Sequence, residues 1–301
     1  MKNILPLILF FIGYFSQAQY LKNENLTNVI AYWKKGDVLE YEQLEKEFKI
    51  KGNDTIVTKN KKFDIKFNVV DQDSTSYIIH WESTPDLSGL PADFQKSITS
   101  KLGNSIFKFK TDEYGSFQEL LNLDEILNYS KKTFELALDL IPDKNTKKQF
   151  KDASELVLGN EDVVTQLIVS KLNTFLFFYG NSLDNTKPNE IEYESVNPIT
   201  KNKLIYKQSI EVESYDEKEE MYNLYSEIYP KESNLVGEIK STLETIISKE
   251  VKEMDQIQDF GYISKIFQVT HDSGVIVYQL KRDFIHADDQ EVIKELEFSL
   301  K

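Results

Sequence analysis

The stretch KFDIKFNVVDQDSTSYIIHW, residues 62–81, decides the fold class. Phe63, Ile65, Phe67 and Val69 alternate with Lys62, Asp64, Lys66 and Asn68. A period of two puts the apolar side chains on one face of a strand and the polar ones on the other. Asp71 to Ser74 supplies turn residues, and Tyr77, Ile79 and Trp81 then repeat the alternation. Two such runs about a polar turn predict antiparallel strands with one wet face.

The pattern extends in both directions. Upstream, Gly36 to Ile50 predicts a strand or bent pair. Leu39 and Tyr41 share one face, and Leu44, Phe48 and Ile50 resume after a slip that suggests a bulge. Gly52-Asn53-Asp54 is a turn, and Lys59 to Lys62 is expected as a short basic turn. Downstream, Leu90 to Leu102 predicts a helix closed by Gly103. Ile106–Lys110 and Ser116–Leu121 follow as strands about the turn Asp112–Gly115.

Three helices are expected over 123–140, 144–158 and 161–179, separated by Pro142 and by Gly159-Asn160. Asn160 suits an N-cap, with Glu161 and Asp162 at the positive end of the helix dipole. Val164, Leu167, Ile168, Leu172, Phe175, Leu176 and Tyr179 give the third helix one broad apolar stripe. After Pro188 strands return around Ile191–Tyr193 and Leu204–Val212. Met221–Tyr229 fits strand or helix, and a long helix is expected over 233–253. Tyr262–Val269, Val275–Lys281 and Val292–Phe298 are expected strands, with Asp272-Ser273-Gly274 a hairpin turn.

The two strand-rich blocks share an order that suggests internal duplication. In the first, Asp71 leads through Tyr77–Trp81 to Pro85, a helix, and Thr111 with Gly115 four residues later. In the second, Tyr215-Asp216 leads through Tyr222–Tyr229 to Pro230, a helix, and Thr270 with Gly274 four residues later. That comparison tips Met221–Tyr229 toward strand. The expected fold is α+β, with antiparallel curved sheets, half-barrel-like, packed with helices. Its units are a strand-helix-strand block at 19–122, a helical segment at 123–187 and a second block at 188–301.

The N-terminus has the three parts of a cleavable signal peptide over 1–18. These are Lys2, an apolar run from Ile4 to Phe15, and the small residues of Ser16-Gln17-Ala18. The run is about twelve residues, short of the ~20 a membrane span needs. The expected location is therefore the periplasm or the medium, with no membrane span once the signal is removed. The chain has no cysteine, which excludes a lipid-modified cysteine, disulfides and thiolate metal sites. Its 36 Lys and Arg against 50 Asp and Glu give −14, or −15 once Lys2 leaves with the signal. Such a field repels nucleic acid and anionic lipid surfaces.

Leu102-Gly103 to Phe107, Thr111-Asp112-Glu113-Tyr114-Gly115-Ser116-Phe117 and Asn122-Leu123-Asp124-Glu125-Ile126 together resemble the central signature of uncharacterised secreted proteins of Bacteroidota. The ending Ser16-Gln17-Ala18-Gln19 is of the same type, and the layout is similar to lipoprotein-carrier (LolA-like) half-barrels. The likeness covers most of residues 30–300 and rests on turns of low specificity. It implies a sheet curved around helices and enclosing an apolar groove, and it carries over no catalytic residue.

Motifs for chemistry are absent from the sequence: no Gly-x-Ser-x-Gly, no His-Glu-x-x-His, no phosphate loop and no calcium loop. This points away from an enzyme and from any cofactor or metal. Only His80, His271 and His286 could serve a serine triad or zinc, and strand alternation puts His80 opposite Trp81. The acid groups Asp71/Asp73, Glu217/Glu219/Glu220 and Asp288/Asp289 lack the spacing of a calcium loop. The aromatics point further. With 19 Phe and 16 Tyr, the chain crowds Phe175, Phe177, Phe178 and Tyr179 around one helix end. A helix apolar on several sides is buried all round or lines a groove. Core packing is the commoner outcome. If there is a groove, its expected lining is Trp81, Leu172, Phe175, Phe178 and Tyr179, and its ligand a lipid, acyl chain or other hydrophobic molecule. The expected function is non-enzymatic binding of that ligand or of an envelope partner. The alternatives are an envelope hydrolase with an unrecognised site and a purely structural interaction module.

Overall fold

The computed structural model describes residues 20–21, 25–85, 87, 95–96, 99–100, 102–139, 141–197, 199–231, 235–247 and 256–301. The expected signal peptide, most of the helix expected over 90–102, and 233–234 and 248–253 of the long helix lie outside the described residues. A three-stranded sheet joins β1 (Tyr20–Leu21), β2 (Leu26–Asn28) and β8 (Ser182–Asp184). An eleven-stranded, open, curved sheet forms the body, and every neighbouring pair in it is antiparallel.

Its first half is the meander β3 (Val38–Lys51), β4 (Asp54–Gln72), β5 (Ser76–Pro85), β6 (Ser105–Asp112) and β7 (Phe117–Leu120). Three helices follow, α1 (Leu123–Leu138), α2 (Lys144–Leu158) and α3 (Glu161–Phe175). The second half contains β9 (Asn189–Val196), β10 (Lys203–Asp216), β11 (Met221–Pro230), α4 (Leu235–Ile247), β12 (Phe260–His271), β13 (Ile276–Ala287) and β14 (Gln290–Leu300). The last strand pairs with the first long one, Phe298 opposite Gln43 and Leu300 opposite Tyr41. That seam makes the two halves one sheet, in the order β7-β6-β5-β4-β3-β14-β13-β12-β11-β10-β9. The α+β expectation holds, and Met221–Pro230 is a strand.

Three local expectations are corrected. Val38–Lys51 is one strand with no bulge of its own; Gln43 is fully buried beside Tyr41, so the apparent slip is a polar side chain facing inward. The register shift lies opposite Glu47 and Phe48, where β4 carries the extra Thr58. Lys59 to Lys62 is no turn but part of β4, tied across the ladder by Lys59–Glu45 at 2.6 Å and Lys62–Glu42 at 2.5 Å. The third helix ends at Phe175, and Leu167, expected on its buried stripe, is 62% exposed.

The core lies between the inner sheet face and α3. Ile65, Phe67 and Val69 of β4, Ile79 and Trp81 of β5, and Phe109 of β6 meet Leu172 and Phe175 there. Trp81 and Phe298 contact Phe175 edge-on at 4.8 and 5.1 Å between ring centroids. Burying each such aromatic contributes roughly 1.5–3 kcal/mol. At the end of α3, Gln279 donates to the Phe175 carbonyl at 3.2 Å and to Gln268 Oε1 at 2.7 Å. A helix leaves its last carbonyls without intrahelical donors, and here the sheet supplies one.

The two halves repeat a detail at one end of the sheet. Tyr77 pairs with Thr111, and Tyr222 with Thr270. Asp112 N–H donates to the Ser116 carbonyl, and His271 N–H to the Val275 carbonyl, across turns whose Gly115 and Gly274 have φ of +97° and +79°. Both turns close on the segment leading into β3. A Cβ on Gly115 would lie 2.6 Å from Ala31 Cβ, and one on Gly274 would lie 2.4 Å from the Ile30 carbonyl oxygen. Ala31 N–H donates to Tyr114 O, Tyr77 OH to Ala31 O, and Tyr179 OH to Gly274 O, so residues 29–33 are clamped between equivalent hairpins.

Candidate functional site

Trp81, Leu172, Phe175, Phe178 and Tyr179, expected as groove lining, lie in the interior, none more than 4% exposed. Trp81 and Phe175 are in contact at the centre. Tyr179 sits at the clamped end, 5.1 Å from Trp33, whose ring also meets Phe67 and Tyr77. Sequence reasoning gave Trp33 no role, because it stands in a segment without strand or helix periodicity.

Open apolar surface lies instead on α1 and α2. Helix α1 buries Ile126 and Leu127 in its first turn and nothing in its second half. Asp143 starts α2 by accepting the Thr146 N–H at 2.8 Å. Beyond that cap, none of the α2 side chains whose burial is described is buried. A helix of this length is marginal by itself and normally gains its stability by burying an apolar face. Between α1 and α2, Phe134 and Phe150 stack at 4.8 Å with an interplanar angle of 29°. Phe150 is nonetheless 41% exposed.

On one side of that stack a cavity of about 530 Å³ is walled by Tyr129, Ala137, Phe150, Val157 and Leu158. On the other, a cavity of about 640 Å³ shares Phe134 and Leu158 and is rimmed by Lys131, Lys147 and Lys151 with Glu135, Asp139 and Glu155. Small-molecule sites span about 300–1,000 Å³ and are mostly apolar with a few polar groups. The i, i+4 recurrence of Phe150, Ser154 and Leu158 was the available sequence signal.

The histidines are elsewhere. His80 faces away from Trp81, and burial followed by the Lys108 charge lowers its pKa. His286 lies 3.2 Å from Asp259. His271 Nδ1 is 2.8 Å from Ser273 Oγ and also accepts the Ser273 backbone N–H, with Glu220 3.9 Å from its Nε2. Serine and imidazole thus share the β12–β13 turn, and the carboxylate reaches them from the neighbouring β10–β11 turn. Among the described residues no group of three or more His, Asp and Glu is arranged to hold a metal. No described helix is long and apolar enough to cross a membrane.

No family model matches the chain, and no curated protein matches it. Among solved structures it is similar to one described as "Lipid-protein interactions in lipovitellin", with 8% identity and a TM-score of 0.43. The match covers 89% of this chain and 25% of that one, so the chain spans about a quarter of its length. A likeness at that level transfers no residue role. The resemblance to secreted Bacteroidota proteins and lipoprotein carriers acquires no named homologue.

Proposed function

We propose that this chain is a non-catalytic, exported envelope protein, periplasmic or secreted, that holds a hydrophobic ligand of the acyl-chain class between α1 and α2. One observation carries the reading: α2 is an amphipathic helix whose apolar side is left half-open over the Phe134–Phe150 stack. A ligand seated there would give α2 the burial it lacks, at about 25 cal/mol per Å² of apolar surface removed from water. Export is supported by the signal pattern at 1–18. The matching Tyr77–Thr111 and Tyr222–Thr270 pairs, with glycine turns of one geometry, support reading the halves as an internal duplication.

The test is native mass spectrometry with lipid extraction on mature protein purified from its own envelope without detergent. A stoichiometric lipid, lost in Phe150→Asp while circular dichroism stays unchanged, is the expected result. A clean apo mass, together with no binding of a fluorescent fatty acid by wild type, overturns it. The Ser273–His271–Glu220 cluster, where two adjacent turns meet, gives a hydrolase its only specific foothold among the described residues. Labelling of Ser273 by a fluorophosphonate would favour that reading.

A further inference from the structure

A third cavity, of about 250 Å³, lies against α3, where Leu167, Ser170, Lys171 and Thr174 face strands β3, β13 and β14. It is independent of the α1–α2 groove and shares no residue with it. Its charges come from every element around it: Lys171 from α3, Glu45, Lys46 and Glu47 from β3, Lys59 from β4, Lys281 and Asp283 from β13, and Lys294 and Glu295 from β14. In a chain of net charge −14, five cations against four anions is a local reversal.

The pairing within the cavity sharpens this. All four carboxylates are engaged. Glu45 meets Lys59 at 2.6 Å and accepts from Gln43, and Glu47 accepts from Thr58 at 2.7 Å. Asp283 meets Lys281 at 3.4 Å and accepts from Tyr262 OH, and Glu295 meets Arg282 at 2.7 Å. Lys46 is held by Glu297 at 3.7 Å. Lys171 and Lys294 form no hydrogen bond or ion pair among the described residues. Lys294 stands in register between Glu47 and Asp283. Lys171 has only the Phe63 ring, 5.3 Å from its Nζ to the centroid. Burial lowers its pKa, and the charge of Glu45 only partly opposes that effect. A partly buried ammonium with three donors and no acceptor is costly unless something else supplies one. The cavity it faces also offers Leu167 and Leu296 as an apolar wall.

We propose that this cavity is an anion site, in which Lys171 binds a small oxyanion, a carboxylate or a phosphate, either free or as the head of an amphiphile whose tail lies on Leu167 and Leu296. The experiment follows the Lys171 side chain by NMR in the full mature chain carrying [ε-¹³C]lysine, assigned with Lys171→Arg. Acetate, octanoate and inorganic phosphate are the probes.

The expected result is a titration midpoint for Lys171 below those of the exposed lysines, moved upward saturably by at least one probe. Octanoate binding more tightly than acetate identifies an amphiphile head, and phosphate or acetate binding as well as octanoate identifies a free anion. Lys171→Met, read through the Lys46 and Lys294 signals of the same cavity, is expected to weaken binding by about tenfold or more, the scale of one charge-assisted hydrogen bond, whereas Lys218→Met is not. Absence of a saturable shift with all three probes in wild type overturns the proposal whatever the variants do, as does unchanged affinity in a folded Lys171→Met.

Discussion

Phe175 and Gly274 show two ways in which single residues hold this structure. Phe175 is 1% exposed and touches Tyr41, Trp81 and Phe298, so its removal leaves a cavity that the surrounding strands cannot close. Phe175→Ala is expected to cost about 3–5 kcal/mol in urea unfolding, the range for large-to-small changes in a packed core. Phe175→Asp is expected to lose the fold outright, and so cannot report on a ligand. Gly274 acts through the backbone: at φ +79°, and with a Cβ 2.4 Å from the Ile30 carbonyl oxygen, it admits no side chain. Gly274→Ala is expected to lower the urea midpoint by more than the exposed Ser273→Ala beside it, which should leave stability within about 0.5 kcal/mol of wild type. Equal effects of the two would show that the clamp on residues 29–33 contributes little.

Among helices α1 to α4, α2 alone has no buried side chain among those whose burial is described, and its cap makes it sensitive to pH. The Thr146 backbone and hydroxyl both donate to Asp143, which holds that carboxyl below the ordinary aspartate range. A carboxylate whose folded pKa is depressed stabilises above its unfolded pKa, and the contribution is lost as pH falls through the folded value. The α2 amide shifts are therefore expected to move toward coil values in that acid range. Asp143→Asn, which still caps but does not titrate, should flatten the response. An identical acid profile in the two proteins would place the titration elsewhere. The strands were legible in the sequence because alternation survives even where both faces are wet, as at Ile191 and Tyr193 of β9. Strand β3 was misread because Gln43 faces the core, and Lys59 to Lys62 because their partners Glu45 and Glu42 lie on the neighbouring strand. Apolarity on α3 was plain, but not what covers it; the open groove fell to α1 and α2, whose milder pattern of Phe134, Phe150 and Leu158 gave no reason to single them out.

At the scale of the molecule, the seam between β14 and β3 determines whether the strand-rich halves behave as one body. Nothing local in the sequence marks it, since it joins the last strand to the first long one across the whole chain. Eleven ladder pairs from Gln290–Lys51 to Leu300–Tyr41 run along it. Phe298 crosses it, buried against Trp81 of the first half and Phe175 of α3 while its own strand pairs with β13 of the second. If the seam couples the halves, neither can expose its inner face without exposing the other's, and unfolding is one cooperative transition. Trp81 stands on β5 of the first half and Trp33 packs on Phe67 and Tyr77 of the same half, whereas amides of β11 and β12 report on the second. Tryptophan fluorescence and hydrogen exchange at β11 and β12 are therefore expected to give the same free energy of opening in wild type. Phe298→Ala, at a cost of about 3–5 kcal/mol for a buried aromatic, should lower both together. Two separate transitions in wild type would mean that each half holds its own core and that the seam joins two bodies.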